Sequence, residues 1–334
     1  MNADDVRHMA RAIDVAERSR ATTSPNPWVG ALVVTESGAY EGATAPPGGP
    51  HAEITALRAC ETAGGHAEGA TLYVTLEPCA HQGRTPPCTD AIVAAGVARV
   101  VVALSDPDPL VSGRGLAALE AAGVEVVAGV GAREAGTQLA PYVKHRRTGR
   151  PWVVLKLAAT MDGRIAAPDG SSRWITGEEA RRDAHALRAA SDAILVGAGT
   201  VRSDDPALTV RDVPAARQPL RVVLGRAPEH ARVRPALELD GDLGGVLDHL
   251  GGVGVLQLLV EGGSRVAHDF HAAGLVDRYV LYLAPALFGG DDARPMFDGK
   301  GALTIDELWR ASIVSVAQLG GDLRVDLAPA GEAS

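Results

Sequence analysis

The sequence predicts an α/β protein that is divided into two domains. Short apolar runs of strand length alternate with segments whose apolar residues recur at helical spacing, a pattern typical of βα units with parallel strands covered by helices. The chain has 334 residues, about twice the roughly 150 residues of a common domain. Apolar residues make up 46% and aromatic residues 4%, so we expect folded domains with aliphatic cores.

The first half begins with a helix over 5–17, where apolar residues repeat at helical spacing, and a Pro-Asn-Pro turn follows it. The elements expected next are a strand at 29–35, a helix from about His51, a strand at 71–76, a helix at 89–95, a strand at 99–104, a helix at 115–122 and a strand at 124–127.

A basic, turn-prone segment over 144–151 precedes a new strand at 152–157. We place the boundary there, which gives domains of 1–147 and 148–334, although a basic run is also compatible with plain solvated surface. The second half repeats the α/β pattern with strands at 193–196, 220–224, 255–260 and 278–284 and a helix from Ser264.

Charge and composition exclude several classes of protein. The chain carries 32 basic and 41 acidic side chains, a net charge of −9, which argues against a nucleic-acid partner but allows a small anionic ligand. The first twenty residues lack the apolar core of a signal peptide, and the apolar runs are far shorter than the ~20 residues that span a bilayer. Three cysteines suit a reducing compartment. We therefore expect a cytoplasmic protein without a membrane partner.

The densest chemistry lies in one histidine, two cysteines and a glutamate. His51, Cys79 and Cys88 supply the three ligands that a catalytic zinc uses while it keeps one position for water. Each cysteine follows a proline at an expected helical turn, where backbone N–H groups favour the thiolate. Glu53 can exchange protons with that water without being a ligand. The simpler alternative is a buried histidine with buried thiols, and for Cys60 a packed thiol is the preferred interpretation.

This arrangement is typical of zinc deaminases, in which the metal lowers the pKa of a water and a glutamate moves protons to the departing amine. The general form separates its two cysteines by three positions, whereas Cys79 and Cys88 are nine positions apart. We interpret the intervening loop, 80–87, as an insertion that contacts substrate.

Three segments carry a family resemblance: SPNPWVG at 24–30, HAE at 51–53 and TLEPCAHQGRTPPC at 75–88. They resemble the deaminase half of the bifunctional riboflavin-biosynthesis deaminase/reductase family, which the long cysteine spacing separates from other zinc deaminases. The resemblance implies substrate contacts from Asn26, His81 and Arg84, although Asn26 is also a natural turn residue and Arg84 a natural loop charge. Thr44 occupies a position where the family often has a histidine.

The second half has no G-x-G-x-x-G after a strand, so a Rossmann site has no support. The sequence EGGS at 261–264 joins a strand to a helix, where an anion can bind, but taken alone this feature is better explained by a plain tight turn. The segments KLAATMDGR at 156–164, SSRWIT at 171–176 and VGAGTVRSDDPALT at 196–209 resemble the reductase half of the same family, which has a dihydrofolate-reductase-like fold.

The resemblance to the reductase half implies two sets of contacts. The implied NADPH contacts are Ala159, Trp174, Thr200, Asp204, Gly263 and Ser264. The implied substrate contacts are Lys156, Ser172, Arg188, Leu208, Arg211 and Glu261. Two of these, Arg188 and Arg211, can fork onto a 5′-phosphate, and Lys156 is expected to pair with Asp204 beside the reacting sugar. Core packing for Trp174 and a turn for Asp204 remain open as simpler alternatives.

Two features of the second half bear on its completeness. The stretch between Arg211 and Leu256 is shorter than is usual in the family, and the Gly- and Asp-rich segment 289–301 is expected to be a loop that closes over the site.

The resemblance therefore implies a cytidine-deaminase-like α/β/α domain followed by a dihydrofolate-reductase-like domain, with zinc and NADPH as cofactors. The expected substrate is the small pyrimidine nucleotide 2,5-diamino-6-ribosylamino-4(3H)-pyrimidinone 5′-phosphate, deaminated first and then reduced in its ribosyl side chain. We also expect a homo-oligomer, a dimer or tetramer. The alternatives are a single-activity zinc deaminase with an inert nucleotide-binding second domain, and a regulatory module with a structural zinc.

Overall fold

The computed structural model describes residues 2–82, 86–108 and 111–330. The chain separates into two compact units, Met1–Gly149 and Arg150–Ser334, hereafter the first and second units. Both are built from parallel or mixed sheets with helices, so the predicted α/β class is confirmed. No helix within the described ranges is long and apolar enough to cross a membrane.

The first unit contains a five-stranded mixed sheet. Its elements are α1 (Ala3–Glu17), β1 (Gly30–Thr35), β2 (Gly38–Ala43), α2 (Ala52–Thr62), β3 (Thr71–Leu76), α3 (Cys88–Ala94), β4 (Arg99–Leu104), α4 (Arg114–Ala121), β5 (Glu125–Ala128), α5 (Ala132–Gln138) and α6 (Ala140–Thr148). The strand order is β2-β1-β3-β4-β5. Strand β1 is antiparallel to both neighbours, whereas β3, β4 and β5 are parallel.

Two glycines allow the helices to lie close against this sheet. A side chain at Gly30 in β1 would come within 1.9 Å of the Ala12 carbonyl oxygen in α1, and one at Gly42 in β2 would come within 2.2 Å of the Ala52 carbonyl oxygen in α2. Since α2 begins directly after His51, this contact fixes the helix that carries His51 and Glu53.

The basic segment over 144–151 does not form the predicted turn throughout. Its first part belongs to α6, which continues to Thr148 and ends at Gly149 with a left-handed φ of 72°. A basic last turn is favourable at a helix C-terminus, which explains why a charged run supports a helix here.

The second unit contains an eight-stranded sheet. Its elements are β6 (Trp152–Thr160), β7 (Arg164–Ala166), α7 (Glu178–Ala189), β8 (Ala193–Gly197), α8 (Ala198–Asp204), β9 (Leu220–Leu224), β10 (Leu237–Leu239), α9 (Leu243–Gly252), β11 (Gln257–Val260), α10 (Ser264–Ala272), β12 (Arg278–Ala284), β13 (Arg294–Pro295), a 3₁₀ turn (Ile305–Glu307), β14 (Ala311–Leu319) and β15 (Asp322–Pro329). The strand order is β10-β9-β8-β11-β6-β12-β15-β14.

The six strands from β10 to β12 in this order run parallel, and β15 and β14 extend the sheet antiparallel. Side chains alternate between the two faces, and both faces are buried under aliphatic clusters around Leu155 and Leu258 on one side and Ile194 and Leu259 on the other. Ligand sites in such sheets lie beyond the carboxyl ends of the strands. The residues after β8 and β11 therefore occupy the position expected for a site.

Part of the segment 289–301, predicted to be a loop, forms β13, which pairs with β7 in a separate two-stranded sheet.

Candidate active sites

His51, Cys79 and Cys88 come together in the first unit as the sequence predicts. His51 is the N-cap of α2, Cys79 follows β3, and Cys88 is the first residue of α3. The His51 Nδ1 lies 3.2 Å from Cys88 Sγ and 3.6 Å from Cys79 Sγ. All the donor atoms lie within 4.8 Å of one another. A tetrahedral zinc with bonds of about 2.0–2.3 Å requires donors about 3.5 Å apart, so these residues fit zinc.

Glu77 holds the loop that carries Cys79. Its carboxylate accepts hydrogen bonds from the backbone N–H groups of Asp106 at 3.0 Å, Gly113 at 3.0 Å and Gly115 at 2.8 Å. A side chain at Gly115 would come within 2.0 Å of the Pro78 carbonyl oxygen. The glutamate of the Glu-Pro-Cys motif is therefore a structural anchor, a role that the sequence pattern alone did not reveal.

The donor set favours a deprotonated ligand even before metal binds. The Cys88 backbone N–H donates to Cys79 Sγ at 3.4 Å, and the neighbouring Cys88 thiol and His51 imidazole lower the pKa of the Cys79 thiol against the opposing effect of burial. The proximity of Cys79 raises the pKa of Cys88 and that of His51. Zinc binds thiolates, so one ligand is already in its binding form.

Glu53 lies in the first turn of α2, 4% exposed. Burial raises the pKa of this carboxyl to about 7, partly offset by its own backbone N–H and by His51. A group that is half protonated near neutral pH can both accept and donate a proton. Its position beside His51 and its titration range agree with the predicted role.

A cavity of about 420 Å³ opens beside these residues. Among the predicted substrate contacts, Asn26 and His81 line it, whereas Arg84 lies outside the described residues. Three residues absent from the sequence prediction also line it: Asp106, Tyr142 and Arg146. They lie far from the motifs along the chain, and no local pattern marks them.

Thr44, at the position where a histidine is common in the resembling family, also lines the cavity. Its hydroxyl accepts from the Val29 N–H at 3.1 Å and donates to the Val29 carbonyl at 3.3 Å. Because its hydroxyl makes both hydrogen bonds with the Val29 backbone, Thr44 links the segment after β2 to the segment before β1.

The second unit assembles Lys156, Arg188 and Glu261 from β6, α7 and the end of β11. Arg188 forks onto the Glu261 carboxylate at 2.6 and 2.8 Å and also donates to the Thr209 carbonyl at 3.1 Å. Lys156 Nζ lies 3.9 Å from the same carboxylate. Within the described residues no ion pair joins Lys156 to Asp204, so the predicted Lys156–Asp204 pair is wrong. Lys156 pairs with Glu261 instead.

Two cations therefore share one buried carboxylate. Burial alone would raise the pKa of Glu261, but Arg188 and Lys156 outweigh it and bring that pKa to about 2. Burial lowers the pKa of Lys156. The Arg188 charge lowers it further, whereas the Glu261 charge raises it. The cluster carries a surplus positive charge, which suits an anionic or electron-rich ligand.

Several predicted cofactor contacts lie near the carboxyl ends of the strands. Gly263 is the N-cap of α10 and its N–H donates to Thr200 Oγ1 at 3.1 Å, which brings two predicted residues together. Ser264 is buried at the start of α10, and Ala159 is buried near the end of β6. The Asp204 carbonyl accepts from Arg173 at 2.7 Å.

Trp174 is 70% exposed, so the alternative of core packing is wrong. The Arg181 guanidinium lies 4.6 Å from its ring centroid, a cation–π contact that orients the indole. The exposed face of such a ring can stack on a flat ligand.

The remaining predicted substrate contacts differ in setting. Leu208 is buried with a left-handed φ of 49°, whereas Ser172 is half-buried. Arg211 is exposed; its N–H donates to His185 Nδ1 at 3.1 Å and its guanidinium to Thr209 Oγ1 at 2.8 Å.

Comparisons with known proteins cover both units. The family model described as RibD C-terminal domain matches residues 151–325, and the model described as cytidine and deoxycytidylate deaminase zinc-binding region matches residues 2–104.

Curated relatives match over almost the whole length. The riboflavin biosynthesis protein RibD of Aquifex aeolicus is 40% identical over 354 aligned positions, covering 96% of this chain and 97% of the relative. The RibD of Escherichia coli is 43% identical over 330, covering 86% and 89%.

Solved structures agree in fold. A RibD of Acinetobacter baumannii matches with a TM-score of 0.91 and 38% identity, covering 97% of this chain and 98% of that one. A diaminohydroxyphosphoribosylaminopyrimidine deaminase/5-amino-6-(5-phosphoribosylamino)uracil reductase of Thermotoga maritima matches with a TM-score of 0.88 and 34% identity over 97% and 98%.

Proposed function

The chain belongs to the RibD family of riboflavin biosynthesis proteins, a family of bifunctional deaminase/reductases, and we propose that its first unit deaminates and its second unit reduces. It is an enzyme that uses zinc and NADPH. The observation that carries the proposal is the three-donor cluster of His51, Cys79 and Cys88 with buried Glu53 beside it, at one cavity. The domain assignment we propose is 1–147 for deamination and 148–334 for reduction.

The substrate we propose is the diaminopyrimidinone ribosylamine 5′-phosphate, in line with the name of the Thermotoga maritima relative. Hydrolysis replaces one exocyclic amine by oxygen and releases ammonia. Reduction then converts the ribosyl side chain to ribityl. The cavity volume of about 420 Å³ lies within the usual range for small-ligand sites.

His51, Cys79 and Cys88 would hold the zinc ion. When bound, zinc lowers the pKa of a water at its open position so that it can attack at neutral pH. Glu53 takes one proton from the attacking water at its carboxylate and delivers it to the ring nitrogen. It then takes the second proton from the hydroxyl that has been added to the carbon and delivers it to the amine, so that the C–N bond breaks, ammonia leaves and the C=O forms. A pKa of about 7 suits this residue to both transfers.

Asn26 and His81 hold the pyrimidine and sugar inside the cavity that they line. Arg84, which lies outside the described residues, is proposed as a further substrate contact on the strength of the family motif.

In the second unit, Glu261 fixes Arg188 and Lys156 so that both cations face the ribosyl substrate. Ser172, Leu208 and Arg211 complete the substrate contacts. NADPH, when bound, supplies the hydride that reduces C1′ of the ribosyl group. Its proposed contacts are Ala159, Trp174, Thr200, Asp204, Gly263 and Ser264.

We also propose that the chain forms a homo-oligomer through β14. This nine-residue edge strand exposes Ile313, Val314 and Val316, and long apolar edge strands are sites of strand pairing. Cytoplasmic location is part of the same proposal, since Cys60, Cys79 and Cys88 are free thiols and zinc-ligating thiols persist in a reducing compartment.

The test supplies zinc-loaded protein with the diaminopyrimidinone nucleotide and NADPH, and follows ammonia and NADPH together. We expect ammonia to appear first and NADPH to be consumed after it. Ammonia without NADPH loss would support a single-activity deaminase with an inert second domain, and absence of both signals would contradict the proposed function.

A further inference from the structure

Arg146 lies on the wall of the deaminase cavity without belonging to any motif. It is in the last turn of α6, one turn after Tyr142, and both residues line the cavity that Glu53 and His51 also line. The Arg146 guanidinium carbon lies 5.0 Å from the centroid of the Tyr142 ring. This stacking restrains the plane of the guanidinium at the cavity wall.

Arg146 is also the one permanent cation among the described residues that line the cavity. The acidic lining residues are committed elsewhere or lie beyond ion-pair distance. Glu77 accepts from three backbone N–H groups. Asp106 accepts from the Asp108 N–H at 2.9 Å; burial raises its pKa, and the charge of Arg146 opposes this from beyond ion-pair distance. Within the described ranges no carboxylate comes within the 4.0 Å of an ion pair with Arg146.

A cation held flat at a cavity wall, with no described carboxylate within ion-pair distance, is suited to an anionic part of the ligand. We propose that Arg146 binds the 5′-phosphate of the substrate during deamination and thereby makes the first unit selective for nucleotide over nucleoside. This inference rests on the proposed function, which places the amine-bearing ring beside Glu53 in the same cavity. A guanidinium can donate two parallel hydrogen bonds to phosphate oxygens, and the Tyr142 ring fixes the direction in which they point.

The test measures kcat and KM for ammonia release from the nucleotide and from the matching nucleoside without phosphate. The variants are Arg146→Met, which keeps the side-chain length and removes the charge, and Arg146→Lys, which keeps the charge and loses the fork. Arg147→Met is the control, because Arg147 is exposed like Arg146 but does not line the cavity.

For Arg146→Met we expect kcat/KM on the nucleotide to fall about tenfold to a hundredfold, mainly through KM, as for loss of a charge-assisted hydrogen bond. For the same variant, kcat/KM on the nucleoside is expected to stay at its wild-type level. Arg146→Lys should recover part of the loss, and Arg147→Met should match wild type on both substrates.

An equal loss on nucleotide and nucleoside, or no loss on either, would overturn the assignment of Arg146 to the phosphate. Failure of the proposed function looks different, because the wild-type chain itself would then release no ammonia from the nucleotide, and the inference would fall with it.

Discussion

Glu53 derives its chemistry from burial. Its carboxyl is in the first turn of α2 and almost entirely out of water, so ionising it is costly and its pKa rises to about 7. In contrast, the Glu261 side chain in the second unit is 8% exposed, but two cations keep its pKa at about 2. The same residue type is therefore suited to carry a proton in one unit and is held ionised in the other.

Replacing Glu53 by Gln should remove deamination and leave the metal site intact. We expect ammonia release to fall by about 10²–10⁴-fold, the usual contribution of general acid–base catalysis, because the amide cannot carry the proton. Zinc content, measured by atomic absorption on the same sample, should equal that of wild type. Glu61→Gln, an exposed glutamate on the same helix, is the control. Full ammonia release from the Glu53 variant would refute its role.

Replacing Lys156 by Met should remove reduction alone. The Arg188–Glu261 pair stays balanced after the change, and burial already disfavours the ammonium, so we expect the fold to survive. NADPH oxidation with the deaminated nucleotide should fall at least about a hundredfold, with ammonia release unchanged. Arg182→Met, an exposed position on α7, serves as control. Wild-type reduction in the Lys156 variant would exclude Lys156 from the reductase site.

At the residue scale, the sequence predicts the site residues well where they lie in contiguous motifs. His51 with Glu53, and Cys79 with Cys88, lie in short segments whose spacing is diagnostic. Tyr142 and Arg146 reach the cavity only because α6 folds back onto it, and a charged run within a helix carries no sign of that. The sequence of the basic segment therefore predicts a turn, a domain boundary and solvated surface, but no part of a site.

Among the elements, α1 is joined to the sheet by a buried ion pair. Asp5, in the first turn of α1, accepts from the two terminal guanidinium nitrogens of Arg99 at 2.8 and 3.1 Å and from the Tyr73 hydroxyl at 3.0 Å. The bond from Arg99 is the largest effect and brings the pKa of Asp5 from 3.8 to about 2, against the opposing effect of burial.

Because the pKa of Asp5 is depressed in the folded state, its ionised form stabilises α1 above about pH 4, and this contribution is lost as the pH falls through about 2. Asp5→Asn should reduce the free energy of opening of α1 by roughly 2 kcal/mol at neutral pH, with a smaller difference near pH 3. Hydrogen exchange of the α1 backbone amides measures this free energy of opening.

Asp4→Asn is the matched control for this experiment. The ion pair of Asp4 with Arg7 is solvent-exposed on both sides, and such pairs contribute at most about 1 kcal/mol. If the two variants lowered α1 protection equally, or the Asp5 effect grew toward low pH, the account of the buried pair would be wrong.

Strand β14 presents a testable surface at the edge of the second unit. Ile313 is 68% and Val316 57% exposed on a strand that pairs only with β15. Lysine at both positions should produce monomers in sedimentation equilibrium, since like charges then face each other across a paired edge. Val253→Lys, which alters an equally exposed residue after α9, should leave association unchanged. A monomeric wild type would contradict the oligomer proposal.

The prediction of elements succeeded for buried strands and failed where tertiary packing decides. The core strands of the second sheet read as apolar runs because both faces are covered. Helix α9 was missed because its sequence, LGGVLDHLGG, is rich in glycine, which disfavours helix; burial of Val246, Leu247 and Leu250 compensates. The β14–β15 hairpin was missed because β14 is exposed on both faces and shows no inside–outside alternation.

At the scale of the whole molecule, each compact unit contains its own set of functional residues. The proposed zinc ligands and Glu53 all belong to the first unit, and Lys156, Arg188 and Glu261 all belong to the second. Each family model likewise matches within one unit. The two reactions should therefore be separable by treatments that act on one unit, while their order is imposed by the substrates.

The most direct measurement strips zinc from the intact chain and supplies two substrates separately, the diamino nucleotide and its deaminated product, each with NADPH. We predict that the stripped protein releases no ammonia from the first and consumes no NADPH with it, yet oxidises NADPH with the second at the wild-type rate, and that added zinc restores the first reaction. Ammonia release that persists without zinc, or NADPH oxidation of the deaminated nucleotide that disappears with the metal, would contradict the assignment of one reaction to each unit.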